Sequence, residues 1–189
     1  MFDDDHGGDT NGDGVSVALT NQWASVYIDS MAAATFDYCW FGYGGGESVG
    51  MLDIFTDDVY IDHSTFTHSS EQGIYVFDAS LEVHNSFFSN NRYASINFDG
   101  LSNDKDVVLI NNIFSDSEWA VYSLFKENTT SVILEGNSST GNWVGKGRNG
   151  CAVTGTLKGD KTFQGQSDFP FIVVDDFFIV EDASLLITP

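Results

Sequence analysis

Five eight-residue stretches of this chain can be laid under one another, and no other feature limits its fold so tightly. Ala34-Thr35-Phe36-Asp37-Tyr38-Cys39-Trp40-Phe41 aligns with Val59-Tyr60-Ile61-Asp62-His63-Ser64-Thr65-Phe66 and with Leu81-Glu82-Val83-His84-Asn85-Ser86-Phe87-Phe88. Val107 to Phe114 is a fourth copy, and Val132 to Ser139 a decayed fifth. The closing positions 41, 66, 88, 114 and 139 are 25, 22, 26 and 25 residues apart. A unit this short cannot bury an apolar face alone, so it must stack on its neighbours. Within each copy, positions one and three are apolar and share a face, while position six is small or polar, which fits two short strands joined by a tight bend.

A further alternating strand follows each unit, with Leu52 and Ile54, Ile74 and Val76, Ile96 and Phe98, and Tyr122 and Leu124 as its inward pairs. In the last three units it begins eight residues after the aligned Phe, and Val26 and Ile28 mark the strand of an earlier turn. The expected fold class is all-β, a parallel β-helix (solenoid) of about 22–26 residues per rung. Equivalent residues of adjacent rungs then stack at roughly 4.8 Å, so each alignment column becomes a physical ladder. Phe41, Phe66, Phe88 and Phe114 form an inward aromatic stack. Cys39, Ser64, Ser86, Asn112 and Asn137 form an inward column whose hydroxyls and amides satisfy the bent backbone. Cys39 and Cys151 fall about four rungs apart, roughly 20 Å, which predicts two free thiols.

The run from Asp3 to Gly14 sets carboxylates among glycines. Asp9, Asn11 and Asp13 alternate with small residues ahead of Gly14, in the manner of a calcium loop opening, and Asp3, Asp4 and Asp5 can add ligands. Thr20 stands where a helix-loop-helix calcium loop carries its bidentate Glu, so that version of the motif is not expected. The whole chain has 7 Lys plus Arg against 28 Asp plus Glu, a formal charge of -21. Such a balance repels nucleic acid and anionic lipid, and makes bound Ca2+ stabilising. There is also no apolar stretch long enough for a membrane span.

These residues resemble secreted bacterial parallel β-helix proteins of the pectate-lyase-like superfamily, in a subgroup of surface-protein repeats. Asp4-Asp5 with Gly7-Gly8-Asp9-Thr10-Asn11-Gly12-Asp13-Gly14 is similar to that subgroup's DD-x-GGDTNGDG stretch, and Trp23-Ala24-Ser25-Val26 to its G-D-W-x-G-I element. Tyr38 to Gly45 resembles its Y-x-x-I-x-Y-G-G turn. Phe169-Pro170-Phe171 through Ser184-Leu185-Leu186-Ile187-Thr188-Pro189 is similar to the segment that normally opens such a coil, although here it comes last. The resemblance implies a right-handed coil and an extracellular or cell-surface location. It also divides the chain into residues 1–154, a β-helix with an acidic metal-binding loop, and residues 155–189, a connector and strands resembling an opening cap.

For function, the resemblance implies two enzymatic alternatives. Lyases of the fold use calcium with a basic residue, for which Arg92 and Arg148 are the few candidates, Arg92 the preferred one; hydrolases use clustered carboxylates, echoed only by Asp57-Asp58, a pair that reads more readily as a polar turn before the Val59 strand. The outward position-four column, Asp37, Asp62 and His84, is the best catalytic or ligand constellation, with carboxylates roughly 5 Å apart across rungs. His6, His63 and His68 show no partner at metal-ligand spacing. A second outward column runs through Trp40, Thr65, Phe87 and Ile113. Trp40, Tyr43, Phe87, Trp119 and Trp143 are candidate contacts to a covering loop or partner, or secondarily to a glycan. The leading expectation is a non-catalytic structural or adhesive module of a surface protein, stabilised by calcium and stacking head to tail with copies of itself or with adjacent β-helix modules into filaments. A polysaccharide lyase or hydrolase, and a glycan-binding module, are the alternatives.

Overall fold

The computed structural model describes residues 18–47, 49–102, 105–128, 131–143, 148–180 and 182–188. They wind as stacked turns of strand. Five turns carry three strands each: Val26–Ile28 (β1), Ala34–Asp37 (β2) and Trp40–Gly42 (β3); Gly50–Ile54 (β4), Val59–Asp62 (β5) and Thr65–Thr67 (β6); Gln72–Phe77 (β7), Leu81–His84 (β8) and Phe87–Ser89 (β9); Ala94–Leu101 (β10), Asp106–Ile110 (β11) and Ile113–Ser115 (β12); Trp119–Asn128 (β13), Ser131–Glu135 (β14) and Ser138–Thr140 (β15). Two turns of two strands follow, Cys151–Leu157 (β16) with Asp160–Gln164 (β17), and Phe171–Ile179 (β18) with Ser184–Thr188 (β19). First strands of the turns make a seven-stranded sheet ordered β1-β4-β7-β10-β13-β16-β18, and the second and third strands make a five-stranded sheet each, all parallel. The five aligned copies are therefore the second and third strands with the corner between them.

The expected ladders are present. Phe41, Phe66, Phe88 and Phe114 stack with ring centroids 4.7, 5.1 and 5.0 Å apart. Where the decayed copy offers Ser139 opposite Phe114, the column is continued from elsewhere in the chain: Phe169 stacks on Phe114 at 5.2 Å and is fully buried. Along the position-six column, each backbone N–H donates to the side chain one rung further on. Cys39 donates to Ser64 Oγ (3.1 Å), Ser64 to Ser86 Oγ (3.0 Å), Ser86 to Asn112 Oδ1 (2.9 Å), Asn112 to Asn137 Oδ1 (2.9 Å) and Asn137 to Gln166 Oε1 (3.0 Å). A bent strand leaves these donors without a sheet partner, so buried side-chain oxygens satisfy them.

The bend itself has one recurring conformation. Position five is left-handed in all five copies, at Tyr38, His63, Asn85, Asn111 and Gly136, with φ of 53, 44, 46, 57 and 63°. Gly and Asn tolerate this region and His is also enriched there, whereas the bulkier Tyr38 is strained in it. Tyr38 and His63 offset part of that strain by stacking across rungs at 4.8 Å and 10°. A second left-handed column, Tyr43, His68, Asn90, Asp116 and Gly141, makes the corner after the third strands. It is followed by another side-chain ladder, in which Ser69 N–H donates to Asn91, Asn91 N–H to Ser117, and Ser117 N–H to Asn142. At the first of these corners Gly44 has to lack a side chain, since a Cβ would lie 2.4 Å from the Trp23 ring.

Two local expectations are corrected or extended. Ile96 pairs with Val121 and Asn97 with Tyr122, so Val121 and Ser123, both buried, take the inward positions assigned to Tyr122 and Leu124. The cause is length: three residues join β12 to β13 where four join β9 to β10. The described strands of the tail continue the stack, with β18 parallel to β16 and β19 parallel to β17. Cys39 and Cys151 are free; burial pushes the Cys151 thiol up to about 12, against a contact to the Ser123 hydroxyl that lowers it.

Candidate functional site

The corner between the second and third strands gathers the outward polar residues. Asp37, Asp62 and His84 are in direct register on β2, β5 and β8. The structure then divides them. His84 turns to its own strand, where Nε2 lies 2.8 Å from Glu82 Oε1 without hydrogen-bond alignment. His63, which the sequence reading left without a partner, takes its place: Nδ1 is 3.0 Å from Asp62 Oδ1 and 3.8 Å from Asp37 Oδ1. The left-handed bend swings position five outward beside position four of its own rung. Asp62 Oδ1 also accepts the Asn85 side-chain amide and the His63 backbone N–H, each at 2.9 Å. The Asn85 amide foremost, with His63, holds the Asp62 carboxyl below the usual carboxylate range.

Arg92 does not join this group. It follows the other corner, exposed, with Glu71 at 3.7 Å and its guanidinium 5.1 Å from the Tyr93 ring centroid. The third strands separate it from Asp37 and Asp62, so the four candidate catalytic residues do not form one site. Asp57 is a structural turn residue, as the polar-turn reading expects. Partial burial opposes its ionisation, but Lys105 Nζ at 2.8 Å and the Ser80 N–H at 2.7 Å outweigh it and leave the carboxyl below its ordinary value.

Beside Arg92 lies a shallow groove lined by Asp116, Ser117, Glu118, Gly141 and Trp143. Here Arg148 pairs with Glu118, and its guanidinium is 4.0 Å from the Trp119 ring centroid and 3.7 Å from that of Trp143. The cation between two indole faces fixes both rings, while Trp143 remains 41% exposed. Of the other aromatic candidates, Trp40 folds over Gly42 and packs near Tyr43, with ring centroids 5.9 Å apart. Trp40, Phe87 and Ile113 are 36, 40 and 47% exposed, so the expected covering loop is not found among the described residues.

The family model for the right-handed beta helix region matches residues 10–165. The chain belongs to the right-handed β-helix family. Comparison with curated proteins and with solved structures returned no match. The calcium candidates Asp3, Asp4, Asp5, Asp9, Asn11 and Asp13 lie outside the described residues. No helix among the described residues is long and apolar enough to cross a membrane.

Among the described residues β1 and β18 are the two outer strands of the seven-stranded sheet; on β18 Val173, Phe178 and Ile179 are exposed, as are Leu186 and Ile187 on β19. Next to them Gly165, Gln166, Ser167, Pro170, Phe171, Ile187 and Thr188 line a recess of about 570 Å³. Gln166 ends the position-six ladder; its Nε2 is buried without a hydrogen-bond partner among the described residues.

Proposed function

We propose that this β-helix is a non-catalytic structural or adhesive segment of an extracellular or cell-surface protein, and that its last turn receives a further coil. That coil belongs to a second copy or to an adjacent β-helix module, and repetition of the contact builds a filament. The observation that carries the reading is the nine-residue outer strand β18 with its exposed apolar side chains. An uncovered edge is a template for strand addition; the irregularity at left-handed Asp175, beside Asp176, confines that template in β18 to the apolar runs on either side, 171–174 and 177–179, and the side-chain ladders favour a partner with the same rung spacing. Calcium at Asp3, Asp4, Asp5, Asp9, Asn11 and Asp13 fits the same reading, because a charge of -21 opposes close approach of two copies until cations reduce it. Light scattering on the purified protein is expected to show mass rising with concentration in calcium and less so in chelator. A strict monomer in both conditions would sink the proposal.

A second reading, glycan binding, is favoured by one arrangement: Arg148 holding Trp119 and Trp143 beside the Arg92–Glu118 groove. An indole held rigid in this way stacks on a sugar ring at little entropic cost. The acidic surface favours a neutral polymer over a polyuronate. Tryptophan fluorescence should shift on titration with neutral oligosaccharides in the native protein and fail to shift in Trp143→Ala; equal responses from both would exclude this groove.

A further inference from the structure

The geometry points to a divalent transition-metal site of the zinc type at the first corner, formed by Asp37, Asp62 and His63. One ligand atom from each lies within 4.8 Å of the other two. Zinc binds imidazole nitrogen and carboxylate oxygen at about 2.0–2.2 Å in tetrahedral geometry, which sets its ligands roughly 3.3 Å apart. His63 Nδ1 stands 3.0 Å from Asp62 Oδ1 and 3.8 Å from Asp37 Oδ1, which brackets that edge. The Asp37 and Asp62 oxygens lie within 4.8 Å of each other, so side-chain rotation has to close that edge, and the fourth position is left to water. The His63 nitrogen separates this site from the calcium candidates Asp3, Asp4, Asp5, Asp9, Asn11 and Asp13, which offer oxygen alone; His6, within that run, is the imidazole the test has to control for.

The coil supplies the preorganisation. Asp37 and Asp62 are held opposite each other by the parallel register of β2 and β5. Asn85, one rung on, donates to Asp62 Oδ1 and orients it, and the Tyr38 ring lies parallel to the imidazole and fixes its plane. Such outer partners tune a metal site and are commonly as important as the ligands. The second corner is an internal control built by the same chain. There Tyr43 stacks on His68 at 4.9 Å with both residues left-handed, but His68 Nδ1 is engaged by the Thr67 hydroxyl at 2.7 Å, and Gly42 and Ser89 are the register neighbours of Thr67. One corner therefore has carboxylates around its histidine, and the other has hydroxyls.

Cobalt(II) titration of the whole chain, with calcium in excess to occupy oxygen-only sites, tests the assignment. One equivalent of cobalt should give the visible absorption of a tetrahedral ion, and zinc should displace it. His63→Asn, which keeps a residue tolerant of the left-handed bend, and Asp62→Asn should each weaken binding at least about tenfold. His68→Asn and His6→Asn should bind as the native chain does. The melting temperature of each variant without metal separates a lost ligand from a lost fold, and Asp37→Asn, on the outward face of β2, provides a further ligand variant. Absence of the band in the native protein, its survival in His63→Asn, or equal loss in His68→Asn would overturn the assignment.

Discussion

Asn112→Ala is expected to cost about 3 kcal/mol of stability, read as a fall in the denaturant midpoint. Asn112 is fully buried, and each end of its amide serves the preceding rung: Oδ1 accepts the Ser86 N–H at 2.9 Å, and Nδ2 donates to Val83 O at 2.8 Å. Truncation leaves the Ser86 N–H buried and unsatisfied, at about 1–3 kcal/mol, and removes a second bond, at about 1 kcal/mol, from Val83 O, which keeps its place in the ladder between β8 and β11. Asn137 makes the same bidentate contact to the Asn112 N–H and Leu109 O. Ser64 and Ser86 fill the column differently, turning their hydroxyls to their own rung at Asp62 O and His84 O. Asn112→Ser should consequently recover the bond to Ser86 N–H but not the bond to Val83, and fall between native and Ala. A midpoint for Asn112→Ala within experimental error of native would contradict the ladder.

Phe88→Ala should be comparably damaging, about 3–5 kcal/mol, because it removes the middle ring of the stack and the turns on either side are tied by their own ladders and cannot collapse into the gap. Phe88 lies between Phe66 at 5.1 Å and Phe114 at 5.0 Å, all three fully buried. Phe41, at the first described copy, is only partly buried, so Phe41→Ala should cost distinctly less. Equal losses at the two sites in chemical denaturation would mean that burial within the coil does not set the cost.

The columns were legible because a solenoid turns sequence period into spatial contact: the Phe stack and the position-six ladder follow from aligning five short stretches. The second ladder has a sequence signature too. Ser69, Asn91, Ser117 and Asn142 each fall three residues after the closing position of a copy, at 66, 88, 114 and 139. The slip at Tyr122 arose because one fewer residue turns the corner after β12, and corner length has no periodic signature. The partners of His63 have a conformational origin that spacing does not carry. Alternation along a strand assigns a face to each residue, but the left-handed bend breaks alternation at position five and brings the imidazole beside Asp62 and Asp37. The filling of the Ser139 position by Phe169 depends on a segment thirty residues downstream and has no local trace.

The central claim, that the last turn is an edge made for another coil, is tested most directly by hydrogen–deuterium exchange of the β18 amides at low and high protein concentration in calcium. Half of that strand's backbone groups face away from β16 and have no strand beyond them among the described residues. Protection across Phe171–Ile179 should rise with concentration, while strands inside the sheet, such as β7 and β10, stay protected throughout. Exchange in β18 that is fast and identical at every concentration would contradict the claim.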